Sequence, residues 1–174
     1  MVQSPRDAAK SFYVVSPTET EIYTAVRAWL LSILPKNMRV IQGQQNRSAT
    51  PLDPFAVMTI IGRERIATNG WSYTDTARVV TEQVQMTMQV SMFGAASSNQ
   101  MQLVTALWRD MQAVDWFAGQ SVPLTPLHTS HTRQLGFDNG ERQYEACWSA
   151  HLLMQVNLPF SLPQQFADSI PVHL

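Results

Sequence analysis

The chain has 174 residues, of which 45% are hydrophobic and 14% charged, and its formal net charge is −1. This length fits one domain that buries enough surface to fold without a metal or a disulfide. The near-neutral charge and the lack of a Lys/Arg run argue against nucleic-acid binding through phosphate neutralisation. The single cysteine excludes an internal disulfide, and no apolar run approaches the roughly 18 residues of a membrane span.

The charged fraction is low, because about 25% is usual for a soluble protein. The chain also has nine methionines and many glutamines. Interface cores are depleted in charge and enriched in methionine and aromatic residues. The composition therefore favours a protein that works in an assembly, although simple compositional drift would give the same numbers.

The first predicted element is a helix that follows an aperiodic N-terminal arm, residues 1–15. Ser16 is the predicted N-cap, Pro17 fits the first helical position, and Glu19 completes a capping box. Apolar residues then recur at helical spacing, and Pro35 ends the helix. They are Ile22, Val26, Trp29, Leu30 and Ile33.

Short extended segments follow this helix. Residues Met38–Ile41 are predicted as a strand, Gly43–Pro54 as an exposed loop, and Phe55–Arg65 as a second strand. Asn69-Gly70 and Tyr73–Asp75 indicate a turn region.

The clearest pattern in the chain is a long alternating strand from Val80 to Met92. Even positions are apolar except Glu82, and odd positions are polar and uncharged. Side chains of a strand point alternately to opposite faces, and at roughly 3.3 Å per residue this run spans about 40 Å. An uncharged polar face suits a surface that meets another protein, since lysine and glutamate normally dominate a face in water.

A second helix is predicted from Ser97 or Ser98 to about Phe117, and a Pro-rich stretch at residues 122–126 follows. Arg133–Phe137 and the Asp138-Asn139-Gly140 turn then predict a hairpin into a second long strand, residues 144–158. This strand repeats the pattern of one apolar and one mostly uncharged face, so the two long strands are candidates to pair. The tail, residues 160–174, has one short helical turn at 164–169.

These elements predict an α+β fold. It is a two-layer sandwich, with a mostly antiparallel sheet whose two long strands are packed by two helices. The predicted organisation is a flexible arm, residues 1–15, and a single domain, residues 16–174.

The sequence has no convergent set of catalytic or ligand-binding residues. His128 and His131 are the best metal candidates, with Asp138 and Glu141 downstream, but they lie in a loop and lack a third ligand at recognisable spacing. No Gly-rich phosphate loop and no nucleophile elbow occurs. We therefore predict no enzyme activity, no cofactor and no metal. His151, on the polar strand face, is expected to be interfacial or hydrogen-bonded.

The candidate functional residues are those of an oligomer interface. One group is the polar row of the first long strand, Gln83, Gln85, Thr87 and Gln89. The other group is four arginines at strand ends, Arg63, Arg65, Arg133 and Arg142. Arginine favours bidentate carboxylate pairs between chains, but solvated strand ends would give the same pattern.

Several ordered motifs resemble those of neck or tail terminator proteins of tailed bacteriophages. They cover roughly residues 20–160. The motifs are Met58-Thr59-Ile60, Arg63-Glu64-Arg65, Gln85–Gly94, Leu107-Trp108-Arg109-Asp110, Pro123-Leu124, Pro126-Leu127, Arg133-Gln134, and Asn139–Glu145 followed by Trp148. The chain departs from the family pattern at Leu127–Thr132, where His128 and Thr132 stand in place of an aromatic residue and a proline.

The resemblance implies a structural virion protein of the tail or neck, assembled in the host cytoplasm. It implies a ring of this chain, commonly a hexamer, that caps the tail tube below and joins it to a connector or head-completion protein above. DNA would pass through the lumen without specific binding, and no membrane is involved. Two alternatives stay open, a tail tube or tail completion protein and a small metal- or ligand-binding domain.

Overall fold

The computed structural model describes residues 16–44, 54–138 and 144–163. The predicted N-terminal arm, most of the 43–54 loop, the Asn139-Gly140 turn and the tail from 164 lie outside the described residues. In chain order the elements are α1 (Glu19–Ile33), β1 (Arg39–Gln42), β2 (Phe55–Arg65), β3 (Gly70–Tyr73), β4 (Ala77–Phe93), α2 (Ser97–Trp108), α3 (Met111–Ala118), β5 (Leu124–Thr129), β6 (Arg133–Asp138) and β7 (Tyr144–Pro163).

The strands form one seven-stranded sheet in the order β1-β2-β4-β7-β5, with β3 beside β4 and β6 beside β7. Only β1 and β2 pair in parallel, and the remaining described pairs are antiparallel. The helices pack on one side of this sheet. The predicted α+β fold with a mostly antiparallel sheet is confirmed.

The two long strands are the centre of the sheet, and their pairing confirms the prediction. They run antiparallel from Ala77 opposite Pro163 to Phe93 opposite Cys147. In this register even-numbered residues of β4 lie opposite even-numbered residues of β7, so the two apolar rows coincide on one face. The fully buried members of that face include Met86, Met88, Val90, Leu152, Met154 and Val156.

The helices cover this apolar face through an aromatic cluster. The Trp29 and Trp108 rings pack edge to face at 5.0 Å between centroids, and Phe117 lies 5.5 Å from Trp108. All three side chains are almost fully buried. The Trp108 indole N–H donates to the Leu153 carbonyl at 3.0 Å, which fixes α2 to the centre of β7.

The first helix begins two residues later than predicted. Thr18, not Ser16, is the N-cap, and its hydroxyl accepts from the Glu21 N–H at 3.3 Å while the Glu21 carboxylate accepts from the Thr18 N–H at 2.6 Å. The sequence contains two overlapping frames of the same capping motif, and the later one forms, which leaves Glu19 available for another contact. Hydrogen bonds from the Thr18 backbone and side chain lower the pKa of Glu21.

The predicted second helix is two helices. It breaks after Trp108, and the Asp110 side chain caps α3 by accepting from the Gln112 N–H at 2.9 Å. The apolar stripe runs through both helices, which is why periodicity alone joined them. The predicted serine cap of α2 does not form either, because the Ser97 hydroxyl donates to the Ala146 carbonyl of β7 at 3.3 Å.

Three segments are more extended than predicted. Gly70–Tyr73, inside the predicted turn region, is a strand that pairs with β4, and the Pro-rich stretch enters β5 at Leu124. Strand β7 continues to Pro163 instead of ending near residue 158. Prolines are tolerated at this end of β7. Strand β5 pairs only with the middle of β7, so the edge of β7 near Pro159 has no described neighbouring strand to which a backbone N–H would donate.

Candidate functional site: the polar face of the sheet

The odd-numbered residues of β4 and β7 form the second face of the sheet, called here the polar face. Cross-strand partners share a face, so the four predicted polar residues of β4 stand in one row beside residues of β7. The pairs are Gln83–Asn157, Gln85–Gln155, Thr87–Leu153 and Gln89–His151, followed by Ser91–Ser149. All but the two serines are partly exposed.

The two central strands carry no carboxylate, lysine or arginine on the polar face between Ala77 and Phe93 or between Cys147 and Leu162. Charged side chains occur on the outer strands, at Arg39 of β1, Glu64 of β2 and Arg133 of β6. A centre without charge and a charged rim are typical of a protein–protein interface.

The two parts of the polar face differ in hydrogen bonding. At the end with Ser91 and Ser149 the hydroxyls are hydrogen-bonded within the chain, whereas at the centre three polar side chains of β4 have no hydrogen-bond partner among the described residues. The Ser91 hydroxyl donates to the Ser149 hydroxyl at 3.1 Å, and the Ser149 hydroxyl donates to the Val90 carbonyl at 3.1 Å. By contrast, the side chains of Gln83, Gln85 and Thr87 make no hydrogen bond to any other described residue. These amides and hydroxyls are therefore available to a partner.

A β-bulge in β2 decides which of the predicted arginines share this face. The register shifts between Ile60 and Gly62, and beyond it Glu64 lies opposite Gln85, on the polar face. Arg63 and Arg65 lie opposite Met86 and Val84, on the helix side. The structure therefore does not bring these two arginines to the glutamine row.

Arg63 has a partner within the chain. Its guanidinium contacts the Glu19 carboxylate of α1 at 2.6 Å, with both side chains about half exposed, and this is the one ion pair between described residues. Arg65 donates through Nε to the Ala67 carbonyl at 2.9 Å. An exposed pair of this kind contributes little to stability, about 0–1 kcal/mol.

Arg133 lies on the polar face, opposite Ser149. It lines a depression of about 90 Å³ together with Gln89, Ser149 and His151. The lining offers a guanidinium, an amide and hydroxyls, and no carboxylate, so it suits a partner's carboxylate. Arg142, the fourth predicted arginine, lies outside the described residues.

An exposed aromatic pair marks a second surface, at the far end of the sheet. Trp71 and Tyr73 of β3 are 63% and 52% exposed, and their rings lie 5.4 Å apart, edge to face. This surface was not predicted from the sequence, because the turn signals on both sides of Trp71 favour a turn region there. The alternation of two aromatic residues just before a long strand was the available signal.

Comparison with known proteins identifies the family. The sequence pattern of phage neck terminator proteins matches residues 20–174. The chain belongs to the phage neck terminator family. No curated protein matches the chain with significant similarity.

The family assignment makes the terminator a structural protein of the phage neck, in a family that is structural and not enzymatic. It implies a location in the tail or neck of the virion and contact with other head and tail proteins. No helix in the described part of the terminator is long and apolar enough to cross a membrane.

The three described histidines do not form a metal-ligand cluster. His128 and His131 are exposed, His131 lines a polar groove of about 510 Å³ beside Arg109, and His151 lies on the polar face. Within residues 16–44, 54–138 and 144–163, no three His, Cys, Asp or Glu side chains are grouped as metal ligands. Glu141 and the side chain of Asp138 are outside what the structure describes.

Proposed function

We propose that this terminator assembles into a closed ring, a hexamer, that caps the tail tube and joins it to the head connector. The tube protein would lie below the ring and a connector or head-completion protein above it. The ring would leave a channel through which DNA passes without specific binding. The near-neutral charge of the chain supports passage without specific binding, because DNA is retained mainly through phosphate neutralisation.

The polar face is the proposed contact surface between neighbouring subunits. The observation that carries this proposal is the row of Gln83, Gln85 and Thr87, whose polar groups have no hydrogen-bond partner among the described residues. A cyclic ring requires heterologous contacts, in which one patch meets a different patch of the neighbour. An uncharged polar face can be covered by such a patch without the large desolvation penalty of buried charges.

The test places charge on that row. In the Gln85→Glu, Gln89→Glu double variant, we expect a folded monomer and a ring dissociation concentration raised at least about tenfold. The uncompensated buried charge at position 85 costs about 1.4 kcal/mol or more, while the carboxylate at position 89 lies beside Arg133 and fills its depression. A matched control carries Gln102→Glu on α2 and Gln120→Glu just after α3, both at exposed positions, and should assemble normally. Size-exclusion chromatography with light scattering gives the oligomeric state, and circular dichroism confirms folding.

Negative-stain images of the wild-type chain separate the possible assemblies. A single closed ring supports the terminator role, whereas long filaments would indicate a tail tube protein. A chain that stays monomeric at high concentration and fails to form rings on tube ends contradicts the proposal. Unchanged rings in the double variant would show that the polar face is merely solvated and that the subunits meet elsewhere.

A further inference from the structure

The far end of the sheet extends beyond the helices and forms what we call the arm. The arm consists of β3, residues 74–81 and residues 159–163. The last well-buried residues of the long strands on the helix side are Val84, Val156 and Leu158. Beyond them Val80 and Phe160 are only partly buried, and Trp71 lies opposite Val80 there.

Hydrogen bonds between Thr74 and Ala77 close the turn at the tip of the arm. At the tip, the Thr74 N–H donates to the Ala77 carbonyl at 2.8 Å, and the Thr74 hydroxyl accepts from the Ala77 N–H at 3.1 Å. The Trp71 and Tyr73 rings pack against each other on β3, the strand that leads into this turn. A preorganised aromatic pair loses little entropy on binding, which makes it an effective anchor.

We propose that the arm of one subunit lies on the polar face of the next subunit in the ring. The Asp75 carboxylate would enter the depression at Arg133 of the partner subunit, and Trp71 would pack on Leu153 of the partner subunit. This inference rests on the proposed ring and names the heterologous contact that closes it, because the arm and the polar face are different patches of the chain.

Charge complementarity supports a second copy as the occupant. Asp75 is the exposed carboxylate at the tip of the arm, and Arg133 is the cation of the depression on the polar face. The lining of the depression contains the Arg133 guanidinium and no carboxylate, so a carboxylate from the tip can pair with it.

The surroundings of Leu153 suit an aromatic ring. Leu153 is a partly exposed apolar side chain on the polar face, and the diagonal neighbour Gln85 has a side-chain amide oxygen with no hydrogen-bond partner among the described residues, so it can accept from the indole N–H.

Truncation of the anchor is the first test. Trp71→Ala should raise the dissociation concentration of the ring at least about 30-fold, the effect typical of a central aromatic residue at an interface. Met111→Ala is the matched control, since Met111 is 64% exposed on α3 and lies away from both patches. It should change assembly less than about threefold. At concentrations where the wild-type chain is monomeric, both variants should melt at the wild-type temperature.

Charge exchange tests the pairing of residues. Asp75→Arg and Arg133→Asp should each weaken the ring at least about tenfold, and the double variant should recover most of the loss. With oxidised glutathione added as the oxidant, mixing full-length Trp71→Cys copies with Leu153→Cys copies should give a disulfide-linked dimer that neither variant gives alone.

The outcomes separate this contact from the ring itself. A wild-type chain that stays monomeric overturns the ring and this contact together. Rings of wild-type stability in Trp71→Ala, or no recovery in the charge-exchange double variant, overturn only the contact. Normal rings of Trp71→Ala that no longer bind tail tubes assign the arm to the tube protein and also overturn it.

Discussion

The two faces of β4 and β7 are built from alternate residues of the same strands, yet they differ in almost every property. Met86 and Met88 are fully buried beneath the helices, whereas Gln85, next to Met86 in sequence, is partly exposed and has no partner for its side-chain amide within the described chain. The helix-covered face completes its contacts inside the subunit. The polar face does not, which is why it is the better candidate for contact with another protein.

The rim of the polar face sharpens this contrast. The central strands are free of charge on that face, and Glu64 and Arg133 stand on outer strands. A solvated face would carry lysine and glutamate throughout. Charge confined to the rim matches the anatomy of an interface, in which charge is depleted at the core.

The largest expected change in stability comes from placing a carboxylate on the helix-covered face of β4, compared with the same charge on its polar face. Met86→Glu buries an unpaired carboxylate at a fully buried position and should destabilise the fold by at least about 4 kcal/mol, enough to unfold most small domains. Gln85→Glu, one residue away, should change stability by no more than about 0.5 kcal/mol. Urea unfolding monitored by circular dichroism compares them. Equal losses in the two variants would contradict the distinction between the faces.

The next effect concerns the aromatic cluster beneath the helices. Trp108→Ala should destabilise the monomer by about 3–5 kcal/mol, because it opens a cavity beside Trp29 and leaves the Leu153 carbonyl without its donor. Thermal and urea unfolding measure the loss, with Trp71→Ala, which removes an exposed ring, as the control. A loss below about 1 kcal/mol for Trp108→Ala would show that α2 does not fix the centre of β7.

A smaller effect is expected on the polar face itself. Ser149→Ala removes the hydroxyl that links Ser91 to the Val90 carbonyl and should cost about 1 kcal/mol. Leu152→Ala, on the helix-covered face of the same strand, should cost about 2–5 kcal/mol. Urea midpoints of the two variants give the comparison. The reverse order would mean that the polar face contributes more to folding than its exposure indicates.

The smallest effect is a pH dependence at the start of α1, the helix that packs beside β1. The capping hydrogen bonds lower the pKa of Glu21 below its ordinary 4.5. A carboxyl group whose pKa is lower in the folded state than in the unfolded state stabilises the fold at pH values above its unfolded-state pKa. This stabilisation is lost as the pH falls through the folded-state pKa. Unfolding curves between pH 7 and pH 3 should show a shallower acid loss for Glu21→Gln than for the wild type. An identical loss of stability with falling pH in both proteins would show that Glu21 does not contribute to the pH dependence of stability.

Much of the fold was predictable because it follows from local patterns. The alternation in β4, the apolar stripe of α1 and the Phe55–Arg65 strand appear in the structure at or near their predicted places. The exact caps were not predictable, since Ser16 and Thr18 offer equivalent frames and only the packed structure decides between them. The break at Asp110 was missed because the apolar stripe continues through it.

The candidate site was predictable only in part. The glutamine row is one surface because strand alternation guarantees it. The arginines depend on the β2 bulge, which moves Arg63 and Arg65 to the helix side and Glu64 to the polar face, and a one-residue shift of this kind has no clear signal in sequence.

The sequence by itself determined that two long strands would each have an apolar and an uncharged polar side, because strand geometry has a period of two. Only the tertiary structure decided that the apolar rows coincide, that Arg133 reaches the polar face and that Trp71 is exposed on the arm. Those facts depend on register and on where the helices end. Both are set by pairing and packing between residues far apart in the chain, which no local pattern records.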